Sequence, residues 1–303
     1  MPQPSSTALD DLLTVRDFIR YGVSRMIEAN VVFGHGTTNA YDEAVFMVLE
    51  GLHLPVDQLE PYLDARLIGA EREKMISLIN ARITTRKPAS YLLNRAYIQG
   101  IPFYVDERVI VPRSYIGEIL CAEDGFIGIS DPWEITSVLD LCTGSGCLAI
   151  LAAHLFPNAT VDAVDLSKDA LAVAELNVKT LELGDRVNLY QGDLFAPLKG
   201  KTYDLIITNP PYVDPDEMAV LPPEYRAEPS MALDGGGDGM DIVRRILAEA
   251  PDYLSDDGGL LCEIGTGRHI IDDEYANLPF LWLDTEDSQG EVFWITRDEM
   301  LEA

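Results

Sequence analysis

From Val138 onward the sequence alternates short apolar runs with amphipathic stretches, and that rhythm limits the fold more than any other feature. "SVLDLC" and "TVDAVD" have the length and apolar content of buried strands, and helical patterns follow them, "CLAILAAHLF" and "SKDALAVAELNVKTLEL". "VNLYQGDLF", "YDLIITNPPY" and "GGLLCEIG" supply three more strands, the last after the helix "MDIVRRILAEAPDYL". "FLWLDTE" and "EVFWITRD" lie close enough to pair as antiparallel neighbours. Such alternation predicts an α/β fold, its sheet mainly parallel and covered by helices on both faces. Ligands of such sheets bind beyond the carboxyl ends of the strands, where the strand order reverses.

The chain before Ala96 lacks this rhythm. Leu12, Val15, Ile19 and Val23 make one helical stripe, Ala44, Met47, Val48 and Leu52 a second, and Met75, Leu78, Ile79 and Ile83 a third. Between the first two lies the glycine-broken loop "FGHGTTNAYDEA", with Asn39 placed to cap the next helix. Residues 1–95 therefore read as a small helical domain. In "YIQGIPFYVDERVIVPRS", Tyr97 to Ser114, two β-rich runs flank Asp106-Glu107, which predicts a hairpin turning there and a connector into the second domain, 96–303.

Composition narrows the partners. Of 303 residues, 47% are hydrophobic, enough for a sizeable core. Lys and Arg total 22 against 51 Asp and Glu, a net charge of −29, which repels phosphate backbones and attracts basic partners. The four cysteines, Cys121, Cys142, Cys147 and Cys262, show no zinc spacing, and the four histidines are scattered. No metal site, membrane span or secretion signal is expected, and the cytoplasm is the expected address.

The first strand of the alternating region runs into "DLCTGSGCLA", Asp140 to Ala149. Gly144 and Gly146 permit a tight turn and let the backbone approach a ligand, while the next helix aims its positive end at the same place. Asp165 ends the second strand, where its carboxylate can accept from both hydroxyls of a ribose. Gly144, Gly146 and Ala149 also satisfy the relaxed dinucleotide pattern, so these features ask for a nucleoside-bearing cofactor without saying which. Asp140 is an anion where a pyrophosphate would crowd it, and it suits the cationic amino group of a methionine moiety better. Asp193, in "QGDLF", can accept from an adenine amino group, with Leu194 and Phe195 packing on the ring. The fourth strand ends in Asn209-Pro210-Pro211-Tyr212, where the prolines stop strand pairing near Thr208 and make the turn rigid.

Taken in order, Asp140 to Gly146, Asp165, Gly192 to Phe195 and Asn209 to Tyr212 resemble the class I S-adenosylmethionine-dependent methyltransferases. The resemblance implies a Rossmann-like, mostly parallel seven-stranded sheet behind a small N-terminal helical domain that recognises the substrate. It implies S-adenosyl-L-methionine as cofactor, leaving as S-adenosyl-L-homocysteine. The implied cofactor site comprises Asp140, Cys142, Thr143, Gly144, Ser145, Gly146, Asp165, Asp193, Leu194 and Asn209. The NPPY tetrapeptide is similar to that of enzymes methylating planar nitrogens. That similarity makes Asn209, Pro210 and Tyr212 the expected catalytic residues, and these with Pro211 the expected substrate contacts.

"FGHGTTNAYDEA", "FYVDERVIVPRS", "DLCTGSGCLAI", "LPPEYRAEPSMAL" and "EVFWITR" are together similar to one branch, the protein-glutamine N-methyltransferases acting on ribosomal protein three of the large subunit. A sister branch acts on peptide-chain release factors. It carries glycine where Cys142 stands, and Pro-Glu-Thr-Glu where this chain reads Ser114-Tyr115-Ile116-Gly117. The implied partner is thus a basic ribosomal protein, with no direct nucleic-acid binding. Glu228 and Pro229 are expected to brace the NPPY turn, and "LDGGGDGMD", which misses the EF-hand spacing, to be a mobile loop.

Three readings compete with this branch: release-factor methylation, a DNA adenine methyltransferase and a nicotinamide-dependent oxidoreductase. The acidic charge and the lack of a basic, aromatic-interleaved region argue against DNA. The oxidoreductase rests only on the glycine loop and Asp165.

Overall fold

The computed structural model describes residues 11–122, 126 and 128–302. It divides into two compact units: Met1–Arg95 with Pro222–Ala227, and Ala96–Leu221 with Glu228–Ala303.

The first unit is helical, with α1 (Val15–Glu28), α2 (Ala40–Gly51), α3 (Gly69–Thr85) and α4 (Ala89–Leu93). Thr14 and Asp17 close α1 with a reciprocal capping box, and the Asn39 side chain accepts from the N–H groups of Tyr41 and Asp42 to start α2. The three apolar stripes meet in one core around Phe18, Met26, Met47, Met75 and Ile79. Buried in the same unit is a charged group. Arg82 donates to Glu43 and to the Val32 carbonyl. Glu224, delivered by the Pro222–Ala227 segment, accepts from the Val32 N–H at 3.1 Å and from Arg86 at 3.2 Å. The chain that leaves the NPPY turn thus contributes a short segment to the helical unit before returning at Glu228.

In the second unit a hairpin of β1 (Ala96–Ile98) and β2 (Ile101–Phe103) comes first. It turns at Gln99-Gly100, both at positive φ, and not at Asp106-Glu107 as the β-rich runs suggested. The residues after Phe103 continue as an irregular connector whose Val105, Val109 and Val111 are buried, so their apolar character reflects anchoring and not strand pairing. Helix α5 (Ile116–Leu120) follows.

The seven-stranded sheet has the order β5-β4-β3-β6-β7-β9-β8. Its strands are β3 (Ser137–Leu141), β4 (Thr160–Asp165), β5 (Val187–Gln191), β6 (Tyr203–Thr208), β7 (Leu254–Glu263), β8 (Leu281–Asp284) and β9 (Gln289–Thr296). The first five are parallel, whereas β9 runs antiparallel to both β7 and β8. Helices α6 (Cys147–Leu155), α7 (Lys168–Thr180) and α9 (Asp241–Glu249) cover the sheet, and α8 (Pro215–Val220), α10 (Arg268–Glu274) and α11 (Arg297–Leu301) are short. Apolar side chains pack on both faces, one core around Leu148, Ile150, Leu205 and Ile207, the other around Leu139, Ile206, Val243 and Leu260. This is the class I methyltransferase architecture. The chain builds outward from β3 in one direction and then from β6 in the other, so the order reverses between β3 and β6. Register does the rest. Leu141 pairs with Val164 and Thr208, and Thr208 with Cys262. The residues just past them, Cys142, Asp165, Asn209 and Glu263, therefore emerge from one edge of the sheet.

Candidate active site

The glycine loop is built from three left-handed residues in alternation, Cys142 at φ 58°, Gly144 at 56° and Gly146 at 79°. Cys142 occupies a conformation that favours glycine. A Cβ on Gly146 would stand 3.2 Å from that of Ala174, so glycine also lets the loop lie against α7. Asn177 of α7 holds the loop by donating to the Ser145 carbonyl at 2.9 Å, and it exchanges bonds with Tyr104 of the connector. Thr143 and Ser145 are buried inside this arrangement.

Asp140 sits beneath the loop at 0% exposure. Its Oδ2 accepts from the Thr143 hydroxyl and from the Ala149 N–H in the first turn of α6, at 3.0 Å. Oδ1 is buried with no hydrogen-bond partner among the described residues. Burial pushes the carboxyl up to about 7 against the pull of these two bonds. Asp165 accepts from the Gly144 and Ser167 N–H groups, both at 2.8 Å, and burial raises its carboxyl as well. Burial likewise drives the Cys142 thiol far up, with Asp165 and Asp140 adding to the effect, so it stays a neutral thiol.

Past β5, Asp193 pairs with Arg245 at 2.9 Å on the surface. Leu194 lies at φ 47° and is buried. Phe195, expected beside a ligand ring, is fully buried and stacks on Tyr253 with ring centroids 4.6 Å apart, so it packs into the core.

The NPPY turn follows β6. Asn209 is half-buried, and among the described residues its side chain makes no hydrogen bond. The turn is fixed from behind by the glycine-rich segment. The Val213 N–H donates to the Leu233 carbonyl at 2.8 Å, and the Gly235 N–H to the Val213 carbonyl at 2.9 Å. A Cβ on Gly235 would lie 2.7 Å from Tyr212 Cα, and one on Gly239 would strike the Tyr212 carbonyl. Here "LDGGGDGMD" is a tied-down support, with Arg244 further anchoring it through Asp238 and Asp241, and the expectation of a mobile loop is corrected.

Two glutamates hold the connector. Glu228 accepts from the Val111 N–H at 2.9 Å and pairs in bidentate fashion with Arg113 at 2.6 and 2.7 Å. It braces the connector. Glu263, at 0% exposure, accepts from the Ser114 hydroxyl at 2.7 Å, the Tyr115 N–H at 2.9 Å and the Tyr212 hydroxyl at 3.3 Å. Burial pushes its carboxyl up to about 7. It also raises the Tyr212 hydroxyl well above its ordinary value, with Glu263 contributing. Sequence reasoning missed Glu263, Asn177 and Arg113. The one local signal was a carboxylate ending the apolar run "LLCE" where a buried strand stops.

Among the described residues no group of three or more His, Cys, Asp or Glu is placed to hold a metal ion, and no helix is long and apolar enough to cross a membrane.

Residues 130–221 match the family model "Methyltransferase small domain". Over nearly its whole length the chain is similar to proteins named ribosomal protein uL3 glutamine methyltransferase. It is 58% identical to that of Bradyrhizobium diazoefficiens, covering 99% of this chain and 95% of the relative. It is 55% identical to that of Burkholderia pseudomallei, covering 95% of each. With that of Neisseria gonorrhoeae identity is 49%, covering 97% of this chain and 98% of the relative. With its glycine loop, Asp165 and NPPY turn at one edge of the sheet and relatives this close over nearly its whole length, the chain belongs to the ribosomal protein uL3 glutamine methyltransferase family.

Proposed function

We propose that this chain methylates the side-chain amide nitrogen of a glutamine in ribosomal protein uL3, with S-adenosylmethionine as donor. The observation that carries the reading is the Asn209 carboxamide, unpartnered and half-buried on a braced turn beside the glycine loop. The loop residues fit the donor. The orphaned Oδ1 of Asp140 is an acceptor waiting for a cation, and Asp165 keeps lone pairs for ribose hydroxyls beside its two backbone bonds. Cys142, Thr143, Gly144, Ser145 and Gly146 would shape the pocket around the amino acid moiety, and Asp193 and Leu194 the adenine end. When bound, S-adenosylmethionine supplies an electrophilic methyl group on a sulfonium.

The difficulty of the reaction lies in the acceptor. A carboxamide nitrogen is a poor nucleophile because its lone pair is delocalised into the carbonyl. The Asn209 side-chain oxygen and the Pro210 carbonyl accept the two amide N–H bonds and aim the nitrogen. Both oxygens stabilise positive charge as it grows there. Pro210 and Pro211 stiffen these acceptors, so their alignment is set before substrate binds. Tyr212 packs on the planar amide and keeps water out. The amide proton leaves to solvent after transfer.

The helical unit is assigned to recognition of the protein substrate, and the net charge of −29 suits a basic ribosomal protein and no direct nucleic-acid partner. A ribosomal-protein substrate supports the cytoplasm as the enzyme's address. The test offers labelled S-adenosylmethionine in parallel with purified uL3, a release factor and DNA. Label in uL3 alone supports the reading; label only in the release factor overturns the substrate, and label in DNA overturns the reaction class.

A further inference from the structure

Glu263 is an expensive residue to keep. It is fully buried, and among the described residues it forms no ion pair with Lys or Arg. An ionised carboxylate away from water is costly unless donors compensate it, and an apolar side chain at the end of β7 avoids that cost. Among the described residues its donors come from two places. Ser114 and Tyr115 belong to the connector, and Tyr212 belongs to the NPPY turn. Gly265, two residues on and at φ 53°, backs the same tyrosine: a Cβ there would sit 2.6 Å from the Tyr212 ring. The stretch from Glu263 to Gly265 therefore grips Tyr212 at its hydroxyl and along its ring. The same carboxylate thereby ties the Ser114-Tyr115 step of the connector to the NPPY turn.

We propose that Glu263 is a positioning residue for methyl transfer, setting the orientation of Tyr212 against the substrate amide and tying it to the Ser114-Tyr115 step of the connector. Glu263 touches neither substrate nor donor; it acts through Tyr212. The inference rests on the glutamine-methylation reading for its activity readout, but its structural half stands alone.

The test compares the wild-type chain with Glu263→Gln, Tyr212→Phe and the double variant. Measured are kcat and KM with uL3, S-adenosylmethionine affinity and Tm. Each single change is expected to lower kcat about tenfold, a displacement effect of well under 1 Å, with the double variant no worse than about twofold below either. S-adenosylmethionine affinity stays unchanged and Tm does not fall, because glutamine is isosteric and removes a buried charge. Wild-type kcat in Glu263→Gln, or losses that multiply in the double variant, overturns the proposal. The ring is also followed directly through the ¹³Cζ resonance of labelled tyrosine, assigned with Tyr212→Phe. It shifts in Glu263→Gln, and in Ser114→Ala should the first variant not fold; an unmoved resonance overturns the proposal. If the wild-type chain leaves uL3 unlabelled, the functional reading fails and the resonance alone decides the positioning role.

Discussion

Replacing Asp140 with asparagine sets stability and cofactor affinity against each other. In the folded chain the carboxyl is pushed from its ordinary 3.8 to about 7 by burial beneath the glycine loop. A raised acid binds its proton more tightly in the folded state. As pH rises from about 4 to about 7, the unfolded chain has already released that proton, and folding loses stability across the window. Above about 7 the full cost remains, about 4 kcal/mol for that separation of pKa values. Asparagine keeps an oxygen for Thr143 and Ala149 and removes the charge. Its NH₂ then takes the place of the orphaned Oδ1 and needs a partner, returning about 1–3 kcal/mol of the gain. The net expectation at pH 8 is a variant more stable by about 1–3 kcal/mol, a Tm rise of a few degrees, with the advantage smaller at pH 5. S-adenosylmethionine affinity should fall at least about tenfold, because its ammonium loses a buried counter-charge. Denaturant melts at both pH values and a calorimetric titration decide the matter. A variant less stable than wild type at pH 8, with the same pH slope, refutes the claim that Asp140 is held ionised at a cost. Unchanged affinity removes it from the cofactor site.

Other substitutions separate the parts of the site. Asp165→Ala should weaken S-adenosylmethionine binding and loosen the glycine loop, since Gly144 loses its acceptor; unchanged affinity in a titration would remove Asp165 from the site. Arg113→Ala leaves Glu228 buried without its bidentate partner and is expected to cost about 3–5 kcal/mol in a denaturant melt. Gly265→Ala forces a Cβ into the Tyr212 ring at φ 53°, and about 1–2 kcal/mol of lost stability should accompany a drop in kcat. A melt with no loss and full turnover would show that the ring has room to move.

Motifs whose meaning is local were readable from the sequence. Alternating patterns announced the strands and helices, and the glycine loop and NPPY turn carry their geometry within a few residues. The position of Asp165 was readable because it ends a strand. What stayed hidden is long-range. Glu263 meets Ser114 across 149 positions, Arg113 meets Glu228 across 115, and Glu224 reaches Val32 across 192. No window of sequence records such pairs. Local propensity also misled in places. The run "RVIV" reads as a strand, yet it is a connector whose valines are anchored in the core. Four glycines in "LDGGGDGMD" suggested freedom, but two of them, Gly235 and Gly239, are glycine because the Tyr212 backbone, and for Gly235 also the Gly239 carbonyl, leaves no space for a side chain. Phe195 seemed a ligand contact because it follows Asp193, but the left-handed turn at Leu194 sends it into the core.

The most direct test of the central claim, that the NPPY turn is a rigid acceptor clamp for an amide nitrogen, is methyl transfer to uL3 by Asn209→Ala under single-turnover conditions, with S-adenosylmethionine binding measured on the same sample. The clamp predicts that transfer drops by at least about a hundredfold, the scale of one lost preorganised hydrogen-bonding group, while the donor still binds. Near-normal transfer by that variant would contradict it.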